Sequence, residues 1–295
     1  MLFQRRNILL CAFYLNRFAA GINGLRVDAG VYPERLRAAI DAGWHTGKEL
    51  PGSAGLGHVG AMKLISDGSL NTRSAYCSTP YSGIEPLTYG TLSYTPQQIE
   101  DYMRLATEHG FDIACHAIGD EANTIALNAV AATHAHGSIE HAQMLKPVDI
   151  PRFAELGLTA SIQPQHAMDD RDVITRFWAN PAGIPYPFRA LHDAGTTLRM
   201  GSDAPVAPLD PWLAISAAVL GTESSDREPF QPEQCLDVHT SLAASTATGR
   251  DRLASGDPAD VVLLDADPYA ADTPEAMRAM PQHVVMTLLC GERTY

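Results

Sequence analysis

Four residues able to bind a metal ion lie at or near the ends of short apolar runs in this sequence. They are Lys63, His116, His141 and Asp203. Neutral imidazole and carboxylate groups are common ligands of Zn²⁺ and related divalent metals. Such a metal lowers the pKa of a bound water molecule toward about 7, so hydrolysis is the chemistry that these residue types predict. A lysine ammonium repels a cation, and Lys63 fits a metal site only if its amine has reacted with CO₂ to form a carbamate.

The apolar runs alternate with longer segments of helical periodicity, which predicts βαβ units and a parallel sheet. Strands are predicted near residues 28, 63, 113, 139, 160 and 199. In an α/β barrel the active site lies at the carboxyl ends of the strands. The sequence therefore predicts an α/β fold, a TIM-type (β/α)8 hydrolase barrel with about six of its eight strands, in which the four residues converge from different strand ends.

Helix signals separate these strands. Thr95 can cap a helix with Pro96 in its first turn, Gln98 completes a capping box, and Gly110 supplies the stop. The remaining predicted helices cover residues 33–42, 120–133, 150–156, 187–194, 210–220 and 232–245. The long loop 67–95 and the segment 166–187 are predicted to shape the substrate pocket.

Three regions are predicted along the chain. Residues 25–250 form the partial barrel, and residues 251–295 form a small β-sandwich remnant with strands at 261–264 and 284–289. Residues 1–24 are an atypical N-terminal segment. Its apolar stretch, residues 8–15, follows Arg5 and Arg6 and faintly resembles a signal peptide, although a strand or the remains of a truncated gene start is the preferred interpretation.

The composition narrows the classes of function. Twenty-one basic and thirty-four acidic residues give a formal charge of −13, and no basic cluster indicates nucleic-acid binding. Five cysteines are scattered without a CxxC pair, which disfavours a disulfide framework or a thiolate zinc site and favours a cytoplasmic protein. No segment approaches the roughly 20 apolar residues of a membrane span. The sequence also lacks the G-x-S-x-G motif of serine hydrolases.

From about Arg26 to its end the chain resembles the amidohydrolase superfamily, and within it the family 3 branch that includes N-substituted formamide deformylases. The motifs that carry this resemblance are Lys63-Leu-Ile-Ser-Asp-Gly-Ser-Leu70, His116-Ala-Ile-Gly-Asp120, Ile139-Glu-His-Ala-Gln143, Gln163-Pro-Gln-His166, Gly201-Ser-Asp-Ala-Pro205 and Pro258-Ala-Asp-Val-Val262. The resemblance implies one or two metal ions, with Zn²⁺ expected. It implies that Lys63 is carboxylated, that His116 and His141 are metal ligands, and that Asp203 is both a ligand and the proton shuttle.

Four further residues are predicted to lie around the pocket, in loops that follow strands. His166 is expected to donate a hydrogen bond to the developing oxyanion, and it joins Asp203 as a catalytic residue. Asp67, Arg73 and Asp120 are candidates for substrate binding. The alternative for Asp67 and Asp120 is that they orient backbone amides in tight turns, and for Arg73 that it is a surface residue.

The chain departs from the family pattern in one respect. Family members carry a His-x-His pair on the first barrel strand, and nothing before Arg26 resembles that strand. The pair His134-Ala-His136 exists, but it precedes the strand that leads to His141 and is predicted to lie at the opposite, N-terminal face. The predicted function is metal-dependent hydrolysis of carbon–nitrogen bonds in small amides, formamides or cyclic amides. The alternative is a truncated, non-catalytic fragment, for which a homo-oligomer could cover the open sheet edges.

Overall fold

The computed structural model describes residues 10–179 and 181–295. Six strands in the described part of the chain form one parallel sheet in the order β1-β2-β3-β4-β6-β8. This sheet confirms the α/β class and the six predicted barrel-type strands. The strands are β1 Val27–Val31, β2 Gly57–Ile65, β3 Ile113–Ala117, β4 Gly137–His141, β5 Met144–Leu145, β6 Thr159–Ile162, β7 Ile184–Pro185, β8 Thr197–Met200, β9 Val261–Leu264, β10 Val284–Leu289 and β11 Glu292–Arg293.

The other strands form two smaller antiparallel sheets. Strands β5 and β7 make a two-stranded ladder near the carboxyl ends of the parallel strands, while β9, β10 and β11 make the separate C-terminal sheet. Arg26 ties this tail to the start of β1, because its guanidinium donates to the carboxylate of Asp260. The boundaries between the three predicted regions stay a prediction.

Helices follow most of the parallel strands, as the alternating sequence pattern predicts. They are α1 Leu10–Ala19, α2 Pro33–Asp41, α3 Pro96–Glu108, α4 Asp120–Thr133, α5 Ile150–Glu155, α6 Pro164–Phe177, α7 Phe188–Asp193, α8 Pro211–Leu220, α9 Val238–Ser245 and α10 Pro274–Ala279. The capping box at Thr95 is present, with Thr95 Oγ1 accepting from the Gln98 amide and Gln98 Oε1 accepting from the Thr95 amide. None of the helices described combines the length and apolar character needed to cross a bilayer.

Three predictions of secondary structure were wrong. Residues 10–15 are helical rather than extended, while residues 1–9 of the same segment lie outside the described part. His166 lies in a helix, residues 164–177, rather than in a loop, and Pro164 occupies the first turn of this helix, where the missing N–H costs nothing. The helix predicted over 232–245 begins only at Val238, because Asp237 accepts from the Thr240 amide and caps it there.

One face of the parallel sheet packs against the helices. Its side chains are almost completely buried, and they alternate along each strand with those of the other face. Burial of such apolar side chains contributes roughly 1.5–3 kcal/mol each, which makes this layer the main stabilising core. The members on the central strands are Met62, Leu64, Ile113, Cys115, Ile139, Ala160 and Ile162.

The opposite, inner face of the sheet carries polar and charged groups. The strand register aligns one row across five strands, namely Ile65, His116, Glu140, Ser161 and Arg199. These side chains are partly rather than fully buried. The row lies near the carboxyl ends of the strands, where barrel enzymes place their chemistry.

Helix α6 is also connected on its outer side to the loop 221–230. Asp172 accepts two hydrogen bonds from Arg227, at 2.6 and 2.7 Å, and Gln165 donates to Glu223 at 3.0 Å. Arg171 donates to the Glu228 carbonyl at 2.8 Å. The helix is therefore held between the centre of the sheet and an exposed loop.

Candidate metal centre

His116 lies near the end of β3 on the inner face of the sheet. Its Nε2 atom is 3.2 Å from the Gly68 carbonyl oxygen, which can only accept, so Nε2 carries the proton and Nδ1 keeps a lone pair. Burial lowers the pKa of His116 to about 4, and the nearby Lys63 acts in the same direction. The ring is therefore neutral near pH 7, and its 3.5 Å contact with Asp67 Oδ1 is not an ion pair.

His141 ends β4 and reaches the same site through an irregular backbone. His141 pairs with Ala117 on β3. In a regular sheet its side chain would therefore point to the face opposite that of His116, the residue before Ala117. His141 and Ala142 have φ values of +72° and +44°, in the left-handed region that disfavours residues with a Cβ. This turn brings the His141 ring to 4.5 Å from the His116 ring, measured between centroids. Such strain costs on the order of 1–3 kcal/mol per residue and is common at functional sites.

His166 comes from the first turn of α6. Its ring stacks on His141, with centroids 5.8 Å apart and an interplanar angle of 16°. Both rings are almost completely buried, with relative exposures of 7% for His141 and 9% for His166. Burial, together with the nearby His116 and Lys63, lowers the pKa of His141 well below its usual value. The buried His141 imidazole therefore offers a neutral nitrogen atom to a ligand.

Asp203 follows β8 and is exposed, with a left-handed φ of +53°. Partial desolvation raises the pKa of its carboxyl group, while His166 and Lys63 act in the opposite direction. One ligand atom from each of Asp203, His141 and His166 lies within 4.8 Å of the others. These distances match a group of side chains around one cation.

The donor set fits a divalent metal. His141 Nδ1 and His166 Nε2 are buried and have no hydrogen-bond partner among the described residues. Gln163 acts on the pKa of His141, but no hydrogen bond of acceptable geometry joins them. A buried nitrogen without a partner loses the free energy of its hydration, and a metal at this point would restore it.

Lys63 belongs to the same site without being part of that group. It pairs with Ala114, two residues before His116, so Lys63 and His116 project from the same face of the sheet. Its charge affects the pKa of both His116 and His141. Of the four residues singled out first, the structure thus brings His141 and Asp203 together with His166, and it places Lys63 and His116 beside them.

The sequence motifs did not draw attention to Glu140. It pairs with His116 on the inner face, and its charge raises the pKa of Asp203. Residues in register on neighbouring strands share a face of the sheet, so Glu140 lies on the same face as His116. The alternation of side chains along each strand is the sequence signal that could have identified it. The half-buried Tyr32, directly after β1, was also missed; burial raises the pKa of its phenol, and the charges of Glu34 and Asp203 act in the same direction.

Asp67 and Asp120 lie beside the site, but their carboxylates accept hydrogen bonds from groups outside it. Asp67 is 1% exposed, and its carboxylate accepts from the amides of Tyr76, Ile118 and Gly119 at 2.9–3.1 Å. Burial raises the pKa of Asp67 to about 7, against the effect of these amides. Asp120 is fully buried and accepts from the amide and hydroxyl of Ser78. Both aspartates connect the loop 66–95 to the start of α4.

Arg73 lies farther from the site. Its guanidinium carbon is 5.4 Å from the centroid of the Phe177 ring, and Nη1 donates to the Asn71 carbonyl. Phe177 is eleven residues after His166 on α6, which corresponds to roughly 16 Å along the helix axis. This contact places Arg73 toward the rim rather than beside the three ligand atoms.

The pair His134 and His136 is exposed and lies just before β4 begins. His141 ends that strand, and five residues of extended chain span roughly 16 Å. The pair therefore lies at the opposite end of β4 from the metal-ligand group.

Comparison with known proteins places this geometry in a family. The chain is 31% identical over 229 residues to the YtcJ protein of Bacillus subtilis, covering 72% of this chain and 43% of that protein. It is 25% identical over 240 residues to an N-substituted formamide deformylase of Arthrobacter pascens, covering 73% of this chain and 42% of that one. It thus spans less than half the length of these relatives.

A solved structure shares the fold. An uncharacterized metal-dependent hydrolase from Pyrococcus horikoshii OT3 superposes with a TM-score of 0.70 at 28% identity, over 81% of this chain and 48% of that one. The model of the amidohydrolase family matches residues 23–295. The six-stranded parallel sheet, its strand-end histidines and these matches agree, and the chain belongs to the amidohydrolase family.

Proposed function

We propose that the chain binds a divalent metal through His141, His166 and Asp203, and that this metal serves the hydrolysis of carbon–nitrogen bonds other than peptide bonds. The observation that carries the proposal is the pair of buried, unpartnered imidazole nitrogens beside a carboxylate. Two nitrogen ligands and one oxygen ligand suit Zn²⁺, and a site with three protein ligands leaves a fourth position for water. Zn²⁺ is therefore the metal that we propose.

The bound metal would supply a water molecule of lowered pKa as the nucleophile. Asp203 is the proposed proton acceptor, because its raised pKa brings it closer to the pH at which it must take up and release a proton. His116 keeps a lone pair on Nδ1 and is the proposed ligand of a second metal. That second metal would also require carboxylation of Lys63, whose ammonium form repels cations.

The proposed substrates are small amides, formamides or cyclic amides. The relative named as a formamide deformylase and the neighbour named as a metal-dependent hydrolase support this class. The contacts of Asp67 and Asp120 favour a role in holding the pocket wall over direct substrate binding. We assign Arg73 to the rim of the pocket. The four described free cysteines support a reducing, cytoplasmic location, and homo-oligomerisation stays a prediction.

The proposal is tested on the 295-residue chain by measuring Zn²⁺ stoichiometry and turnover of a panel of formamides and amides. We expect tight binding of at least one equivalent of Zn²⁺, and its loss in His141→Ala and His166→Ala. His136→Ala is the matched control, because it removes an exposed imidazole at the other end of β4. Less than one equivalent of Zn²⁺ would contradict the metal site. Full Zn²⁺ loading without turnover would support the alternative that this chain alone is not catalytic.

A further inference from the structure

A buried carboxylate outside the proposed ligand set connects several loops around the metal centre. Asp170 is 5% exposed and accepts hydrogen bonds from three side chains. Its Oδ1 accepts from Asn71 at 2.5 Å, and its Oδ2 accepts from Gln143 at 2.9 Å and from Tyr186 at 2.7 Å. The three donors come from the loop after β2, the loop after β4 and the segment before α7.

The buried carboxylate of Asp170 is solvated by the hydrogen bonds of these three donors. Among the described residues no lysine or arginine forms an ion pair with Asp170, so neutral dipoles alone replace its lost hydration. A buried charge left with fewer hydrogen bonds is strongly disfavoured, so the donors are held firmly around it. Burial beside Asp170 raises the pKa of Tyr186 well above its usual value, which keeps the phenol protonated as a donor.

Two of the connections lead directly to the proposed metal ligands. Asp170 lies one turn after His166 on α6, and residues four apart share a face of a helix. Gln143 lies two residues after His141, and its carbonyl accepts from the Tyr186 amide at 2.6 Å. The left-handed turn at His141 and Ala142 is thus fixed on its C-terminal side by the residue that bonds to Asp170.

We propose that Asp170 is a positioning residue, which fixes the relative placement of the His141 and His166 rings by accepting hydrogen bonds from Asn71, Gln143 and Tyr186. The expected effect on metal binding rests on the proposed function. The placement of the two rings is a property of the chain without metal. Partners of this kind, one step removed from the metal, typically change metal affinity by about 10- to 100-fold when they are replaced.

Two conservative variants test the role. Asp170→Asn keeps the size of the side chain but turns one acceptor oxygen into a donor that faces another donor. Tyr186→Phe removes a single oxygen atom and leaves the ring in the core. Asp193→Asn is the matched control, because it makes the same chemical change at an exposed helical aspartate that pairs with Arg189. Far-UV circular dichroism establishes that each variant is folded, and Tyr186→Phe carries the test if Asp170→Asn is not.

The first readout needs no metal. With His141→Ala and His166→Ala used for assignment, the ring C–H resonances of these histidines are recorded in metal-free protein by NMR. We expect both to shift in Asp170→Asn and in Tyr186→Phe, and to stay unchanged in Asp193→Asn. Unchanged resonances in the folded variants would overturn the positioning role, whether or not the chain binds a metal.

The second readout uses Co²⁺ alone, whose visible absorption reports its coordination geometry. We expect Asp170→Asn to weaken Co²⁺ binding by about 10- to 100-fold and to change the absorption bands, with a smaller effect for Tyr186→Phe. Wild-type affinity and bands in both variants would overturn the positioning role. Absence of Co²⁺ binding by the wild-type chain, together with shifted ring resonances in the variants, would instead contradict the proposed function and leave the positioning role supported.

Discussion

The buried ring of His116 contributes a loss of stability in acid, opposite in sign to the contribution of Asp67, whose raised pKa favours the fold as the pH falls. Burial lowers the pKa of His116 to about 4, whereas the unfolded chain titrates near the ordinary value of 6.5. Between these two values the unfolded chain takes up a proton on this ring that the folded chain excludes, so the contribution of His116 to stability falls as the pH falls through this window. Above pH 6.5 the effect is absent, and below about 4 it is complete. Lowering the pH from 7 to 5 costs about 2 kcal/mol through this one ring.

The variant His116→Gln removes the titration while it keeps an N–H donor for the Gly68 carbonyl. We expect the variant to lose about 2 kcal/mol less stability than the wild type between pH 7 and pH 5. The assay is urea unfolding followed by tryptophan fluorescence, with EDTA present so that no metal contributes. His136→Gln, at an exposed ring, should follow the wild type. Equal losses in wild type and His116→Gln, within about 0.5 kcal/mol, would refute the argument that burial depresses this pKa.

Three further predictions concern the scaffold around the site. Thr95→Ala removes half of the capping box and should lower the free energy of unfolding by about 1 kcal/mol in urea titrations, and no change would show that the cap is dispensable. Leu64→Ala leaves a cavity in the fully buried layer and should cost about 3 kcal/mol by the same assay, whereas a cost below about 1 kcal/mol would contradict the packing described. Asp120→Ala releases the amide and hydroxyl of Ser78 and should speed proteolysis within residues 70–90, and unchanged cleavage would show that other contacts hold this loop.

Much of the fold could be predicted because its signals are local. The apolar run before His116 and the capping box at Thr95 each lie within a few residues, and both predicted the element that the structure contains. The six strands were predicted for the same reason. The helix of residues 164–177 was not predicted although Pro164 is a recognised first-turn residue, because Gln163 before it makes no side-chain capping hydrogen bond and gives no local start signal.

The site was less accessible to sequence reasoning because its geometry depends on contacts between distant segments. The left-handed turn at His141 cannot be recognised from its residue type, since only glycine adopts such angles without strain. The bond between Asn71 and Asp170 joins residues 99 positions apart. Strand-end positions predicted which imidazoles approach one another, but not which nitrogens would be left without a partner.

His166, the third imidazole of the site, is carried by a helix and not by a strand. Other residues of the same helix, such as Asp172, are exposed to solvent. The exposed bond from Arg227 to Asp172 and the part-buried bond from Gln165 to Glu223 connect the same helix to the loop 221–230. Substitutions at these positions can therefore alter the placement of the His166 ring without changing any residue of the proposed metal site. Variants made to test the proposed metal site should therefore include Asp172, Glu223 and Arg227 as well as the three proposed ligands.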